Sequence, residues 1–296
     1  MIVEKAYAKI NTYLNVISKR EDGYHNIVSI MQTVSLHDLV TVDFSEASET
    51  SIVLSVAGND GLPVDRSNLA WRAAEVFLKK MNATGLVQIA IEKRIPMAAG
   101  LAGGSADAAA VLRALYKVFG SPFPLEELYS LGATLGADVP FCIRGGCCLV
   151  EGIGEKLKDA PTMPMGYLVI ARMGDGVSTP QAYRALDEIY GDFSSTARDE
   201  RYRRVLCAWE QKDLFGSCDD FFNLFEAVVS AMRPWVGKIK SEMTVAGAKR
   251  AMMSGSGPSV FGVFASESAA ENACAALRDM GVTAFVCSPC GRYALS

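Results

Sequence analysis

Between Pro96 and Ala110 the chain runs through Pro96-Met97-Ala98-Ala99-Gly100-Leu101-Ala102-Gly103-Gly104-Ser105-Ala106 with almost no side-chain bulk, then continues into strong helix formers. Such a junction lets backbone touch a ligand. Glycines at 100, 103 and 104 remove Cβ atoms that would hold an anion away, and they permit dihedrals that aim successive N–H groups at one point. Ala108, Val111, Leu112, Leu115 and Phe119 then fall at helical spacing, with Gly120 and Pro122 as a stop, which sets the first turn near Ser105. Free N–H groups and the helix macrodipole there favour a di- or triphosphate. A Gly/Ala turn of this kind also serves elsewhere as a plain packing device. It is not a Walker A loop, because no Lys-Ser/Thr pair follows the last glycine, and the Gly-x-Gly-x-x-Gly dinucleotide order is absent. A third class of phosphate loop remains.

Other polar groups have ordinary explanations when taken singly. Lys9 and Asn11 share one face of an alternating segment, Ala6 to Val16, whose other face is Ala6, Ala8, Ile10, Leu14 and Val16. A strand lysine is usually solvated, and Asp138 in Gly136-Ala-Asp-Val-Pro140 could simply stabilise a turn. Tyr24-His25 follows an Asp22-Gly23 turn signal, and Ser254-Gly-Ser-Gly-Pro-Ser259 could be a flexible connection. Cys287 and Cys290 have the spacing of half a zinc site, but no second pair or nearby histidine completes it.

The elements that must position these groups read as two α+β units. A chain of 296 residues matches about two average domains and is long enough to enclose a cleft. Half the residues are apolar and 21% are charged, an ordinary globular mixture. A net charge of -4 argues against a general nucleic-acid or membrane-surface binder, so an anionic ligand must be held by local groups. With no leader pattern and scattered cysteines in apolar company, the expected location is cytoplasmic.

Alternation over Ile27–Met31, Leu39–Phe44 and Ile52–Val56 suggests an antiparallel sheet, and Val87, Ile89 and Ile91 add a strand leading into the glycine loop. Helices are expected over Asn68–Met81 and Leu125–Leu135. Val139, preceding a proline, is expected to be extended, with a strand pair over Phe141–Val150. Pro161 and Pro164 place a boundary near residue 158, giving domains 1–157 and 158–296. The second opens on a strand at Tyr167–Ala171, is otherwise mainly helical with an exposed charged stretch at Gly191–Arg204, and ends in strands Val260–Phe264 and Thr283–Cys287 around a helix at Glu267–Met280.

Taken in order, Ala8-Lys-Ile-Asn11, Pro96 to Ala106 and Met253-Ser-Gly-Ser-Gly-Pro-Ser259 resemble the three signature motifs of the GHMP small-molecule kinases, end to end along the chain. Leu14-Asn-Val16, Lys19-Arg-Glu-Asp-Gly-Tyr-His25, Gln32-Thr33 and Gly136-Ala-Asp-Val-Pro-Phe141 are similar to the branch acting on a cytidine-diphosphate-linked methylerythritol. Asp-Gly-Tyr-His is the most discriminating of these elements. The resemblance implies an N-terminal ribosomal-protein-S5-like domain and a C-terminal ferredoxin-like α+β domain. It further implies ATP with Mg²⁺, a small-molecule alcohol acceptor, and a monomer or weak homodimer.

Residue by residue, the resemblance makes Asp138 the base and Lys9 its neighbouring cation, offsetting charge on the reacting oxygen and phosphoryl group. The loop from Pro96 to Ala106 would hold the triphosphate, with Ser105 near Mg²⁺ or a phosphate oxygen, and Lys93 and Asn68 near the adenine. Asn11 would bond the methylerythritol, His25 would face the cytosine edge, and Tyr24 and Tyr183 would stack on or flank that base. The Ser254–Ser259 glycines would let the second domain close on the nucleotide. Ala102 replaces a usual glycine and Ala106 a usual serine, which puts one backbone approach and one hydroxyl in question. Asn223-Leu-Phe-Glu226 also varies from the expected Asn-Asp-Leu-Glu. Rival readings are a superfamily member acting on mevalonate, homoserine or a sugar, and a non-catalytic nucleotide sensor.

Overall fold

The computed structural model describes residues 1–58 and 61–294. The first half lays down β1 (Ile2–Lys19), β2 (His25–Glu46), β3 (Ser51–Ala57), α1 (Leu69–Met81) and β4 (Gly85–Glu92). It continues with α2 (Gly103–Val118), α3 (Leu125–Ala133), α4 (Val139–Arg144), β5 (Cys147–Gly152) and β6 (Lys156–Asp159). The second half holds β7 (Tyr167–Arg172), α5 (Thr179–Tyr190), α6 (Arg201–Glu210), α7 (Leu214–Ser217), β8 (Phe222–Asn223), α8 (Glu226–Met232) and α9 (Trp235–Val245). It closes with β9 (Arg250–Met253), β10 (Val260–Phe264), α10 (Glu267–Asp279) and β11 (Thr283–Cys287).

The larger sheet runs β3-β4-β2-β1-β8, with β5 and β6 attached along the first part of β2. It is not wholly antiparallel, since β3 runs parallel to β4 and β8 parallel to β1. One apolar core fills the space between this sheet and α1 to α4, with Phe77, Leu112, Leu115 and Phe141 at its centre. The smaller sheet, β11-β7-β10-β9, is antiparallel throughout. Its order along the chain, strand-helices-strand-strand-helix-strand, is the ferredoxin-like pattern. A second core lies between it and α5, α8, α9 and α10. A third joins the two sheets, placing Ile10, Tyr13 and Ile30 against Ile170, Phe261 and Val263.

Most expected elements form where their periodicity places them. Asn68 caps α1 by accepting from the Ala70 N–H, and the helix ends on Asn82 in the left-handed region. Two further expectations are overturned. The two alternating stretches after His25 are parts of one 22-residue strand; between them Gln32, Thr33 and Asp38 are buried and break the apolar alternation. Val139 is not extended: it opens α4 with Pro140 at the helix start, where a proline's missing N–H costs nothing. The strand pair expected over Phe141–Val150 is therefore a helix followed by β5. The Gly191–Arg204 stretch is largely exposed, as expected, apart from Phe193, which is fully buried, and Thr196, nearly so. Thr196 closes the end of β1, its hydroxyl donating to the Val16 carbonyl and its own carbonyl accepting from Asn15 Nδ2.

After β11 the chain returns to the larger sheet as a strap. Ser35 N–H donates to Ser288, Cys290 N–H donates to Thr33, and Gln32 Nε2 donates to the Cys290 carbonyl. Arg292 bridges Gly145, and Tyr293 N–H donates to the carbonyl of Arg144 at the end of α4. The Tyr293 ring lies over the fully buried guanidinium of Arg113, 3.7 Å from its carbon.

Candidate active site

Three loops far apart in sequence are laced together by backbone. The Lys9 N–H donates to Leu101, the Ser259 N–H to Ala99, and the Ser254 hydroxyl to Gly100 while accepting from the Asn11 N–H. Contact is close enough that a Cβ on Gly100 would lie 2.2 Å from the Ser254 carbonyl oxygen. Asn223 braces the outer loop, donating from Nδ2 to the carbonyls of Met253 and Gly255 at 2.8 Å each. Together they wall a cleft of about 1060 Å³.

At one side of the cleft α2 presents its N-terminus. The helix starts at Gly103, slightly before the expected turn at Ser105, and no side chain caps its first N–H groups. Ala102, the N-cap, is held at φ 58° and ψ 29°. Gly104 is exposed in the first turn, and a Cβ there would meet only Leu69 at 3.8 Å. A glycine costs a helix about 1 kcal/mol relative to alanine, and no protein neighbour demands this one. Its bare backbone suits a ligand, as an anion cradle requires.

Behind the cradle, Lys93 is closed into a buried ion cluster with Asp38 and, at 2.7 Å, Asp107. Asp38 also accepts from the N–H groups of Arg94 and Ile95. Burial pushes Asp107 up to about 7, with the Asp38 charge adding and Lys93 opposing. Burial draws Lys93 down, but its two carboxylates outweigh this and hold it above its ordinary value. Both Lys93 and Asn68 line the cleft, yet their polar atoms have partners within the chain: Asn68 caps α1 and donates to the Pro63 carbonyl. The Asp107 Oδ1 is buried without a partner among the described residues.

Lys9 and Asp138 meet at the floor. β-bulges on either side of Lys9 and Asn11 turn these side chains into the cleft, where Lys9 Nζ donates to Asn11 Oδ1 at 2.7 Å. Asp138, at the start of α4, brings Oδ2 within 3.8 Å of that ammonium. Lys9 is 5% exposed at its side chain and Asp138 31%, so the cation is fixed from behind while the carboxylate faces the opening. Asn11 is held in turn by donating to the Ser29 hydroxyl.

Towards the opposite side of the cleft, an Asx turn at Asp22 delivers Tyr24 and His25. Tyr24 is 60% exposed, whereas His25 is buried and stacked under the Tyr183 ring of α5 at 4.5 Å. Burial, with the Asp138 charge adding, pushes the Tyr183 phenol up to about 12. Asp187, one helical turn past Tyr183, accepts at 2.7 Å from both His25 Nε2 and Lys19 Nζ. Sequence reasoning missed Asp187, Asp38 and Asp107. The i, i+4 spacing of Tyr183 and Asp187 on one helix face was the available signal for the first.

The chain matches the GHMP kinases N terminal domain over residues 68–146 and the GHMP kinases C terminal domain over residues 210–283. With paired glycine loops and an uncapped helix start lining one cleft, fold and site define a GHMP-type small-molecule kinase. The 4-diphosphocytidyl-2-C-methyl-D-erythritol kinase of Caldicellulosiruptor saccharolyticus is 41% identical over 266 residues, covering 90% of this chain and 89% of the relative. That of Bacillus pumilus is 42% identical over 267 residues, with the same coverage. A crystal structure of 4-(cytidine 5'-diphospho)-2C-methyl-D-erythritol kinase superposes with TM-score 0.82 at 33% identity, covering 98% of this chain and all of the other. Mevalonate kinase from L. major shares the fold, with TM-score 0.73 at 14% identity, covering 98% of this chain and 97% of the other. The chain belongs to the 4-diphosphocytidyl-2-C-methyl-D-erythritol kinase family.

Proposed function

We propose that the chain transfers the γ-phosphoryl group of ATP to the 2-hydroxyl of 4-diphosphocytidyl-2-C-methyl-D-erythritol, giving the 2-phosphate and ADP, in the non-mevalonate route to isoprenoids. The observation that carries the reading is the pairing of Lys9 and Asp138 at 3.8 Å in a cleft whose lining also includes the bare start of α2 and the His25–Tyr183 stack. The loop from Pro96 to Ala106 binds the triphosphate through backbone N–H groups, and the Ser254–Ser259 loop supports it from outside. Asp138 accepts the hydroxyl proton as the oxygen attacks phosphorus, and Lys9 steadies the charge that develops there. Asn11 orients the methylerythritol, and Tyr24 with Tyr183 flanks the base beside His25.

Mg²⁺ leans mainly on substrate phosphates and water, so one protein donor suits it: Ser105, in the first turn of α2, lines the cleft. Ser105 would hold it. When bound, it supplies neutralisation of phosphate charge. The reading keeps the enzyme as a monomer or weak homodimer of the cytoplasm; among the described residues no helix is long and apolar enough to cross a membrane.

The test is ADP release with the cytidine-linked alcohol against mevalonate and homoserine. Turnover with the first alone is expected, and Asp138→Asn should lower it by about a hundredfold or more while ATP still binds. A variant turning over like the parent would remove Asp138 as the base. Binding of both substrates without ADP release would favour the sensor.

A further inference from the structure

We propose that Asp187 is a positioning residue that fixes the proton of His25 on Nε2, and so sets the acceptor pocket to read an amino-bearing pyrimidine rather than a keto one. The inference rests on the cytidine-linked acceptor of the preceding section. Three side chains converge on this imidazole. α5 sends down Tyr183 and Asp187 from consecutive turns of one face, the first covering the ring at 4.5 Å and 19°, the second bonding its edge at 2.7 Å. Phe193 meets the ring edge-on with centroids 5.5 Å apart, which leaves it little freedom to turn.

A carboxylate only accepts hydrogen bonds, so the hydrogen in the His25–Asp187 contact is on Nε2. Lys19 Nζ sits at 2.7 Å on the other oxygen and offsets the carboxylate charge. In the neutral form of the ring, Nδ1 then carries a lone pair. That nitrogen can accept from the exocyclic amine of cytosine, whereas the corresponding oxygen of uracil meets it lone pair to lone pair. A site built around such a bond rejects the analogue that cannot form it.

The experiment compares CMP and UMP as competitors of ADP release in the parent, Asp187→Ala and Asp187→Asn. Imidazole ¹⁵N shifts are read in parallel; the chain has two histidines, His25 and His37, so the spectrum is simple. In the parent, CMP should compete at least about tenfold better than UMP, with His25 protonated on Nε2 alone. Asp187→Ala should erase most of that ratio, give His25 mixed-tautomer shifts and leave the KM for ATP unchanged. Asp187→Asn, whose carboxamide oxygen can still accept from Nε2, should keep most of it. Equal weakening of CMP and UMP in Asp187→Ala would mean a merely structural role and would overturn the inference, as would an unchanged ratio. Failure of CMP to compete in the parent would overturn the cytidine reading itself, and the inference with it.

Discussion

Two small residues at the start of α2 carry opposite demands. Ala102 sits in the left-handed region, where a Cβ costs about 1 kcal/mol that glycine would not incur. Ala102→Gly should therefore raise the urea midpoint without loss of turnover, measurable by fluorescence-monitored unfolding. Gly104 has ordinary helical geometry and no close neighbour. Gly104→Ala should stabilise the fold by about 0.5–1 kcal/mol yet raise the KM for ATP by about tenfold or more, because the new methyl occupies the cradle. If KM for ATP stays put, the triphosphate does not lie there. Lys9 and Asp138 could be singled out beforehand because each stands in a recognisable local run. Asp187, Asp38 and Asp107 were not, because each is defined by partners 14 to 168 residues away. Ordinary carboxylates look alike until the fold brings their partners in.

At the level of elements, the glycine loop after β9 is braced from behind by Asn223. Asn223 satisfies two loop carbonyls and, through Oδ1, accepts from the Phe225 N–H. Asn223→Ala leaves these buried groups unpaired and should cost about 2–4 kcal/mol, seen in urea unfolding, with a raised KM for ATP as the loop slackens against Gly100. Elements with clean periodicity, such as β4, α1, α10 and β11, were legible from the sequence. α4 was not: six residues are too few to show a helical repeat, and Pro140 speaks for extended backbone unless it happens to start a helix. β2 was split in two by buried polar residues whose hydrogen bonds come from outside the strand, such as Asp38 with the turn at Arg94 and Ile95.

For the whole molecule, burial decides which thiols can react. Cys142, Cys147 and Cys287 lie deep in the apolar interior, which pushes their pKa values up, and Cys148 is raised to about 11; Cys207 is the exposed cysteine. Native protein treated with a thiol reagent at about pH 8 should lose one equivalent quickly, at Cys207, with Cys290 next and the others following only on unfolding. Rapid modification of Cys142, which lies in α4 one turn past Asp138, would show that helix to open. The strap past β11 carries this coupling further. It fastens Arg144, at the far end of α4 from Asp138, with residues that come after the second sheet is complete. The two portions of the chain are thus interlocked in the manner of a clasp. Fragments severed near residue 158 should regain phosphoryl transfer only on being mixed, and a second fragment trimmed after Cys287 should still bind its mate through the shared core while restoring far less turnover.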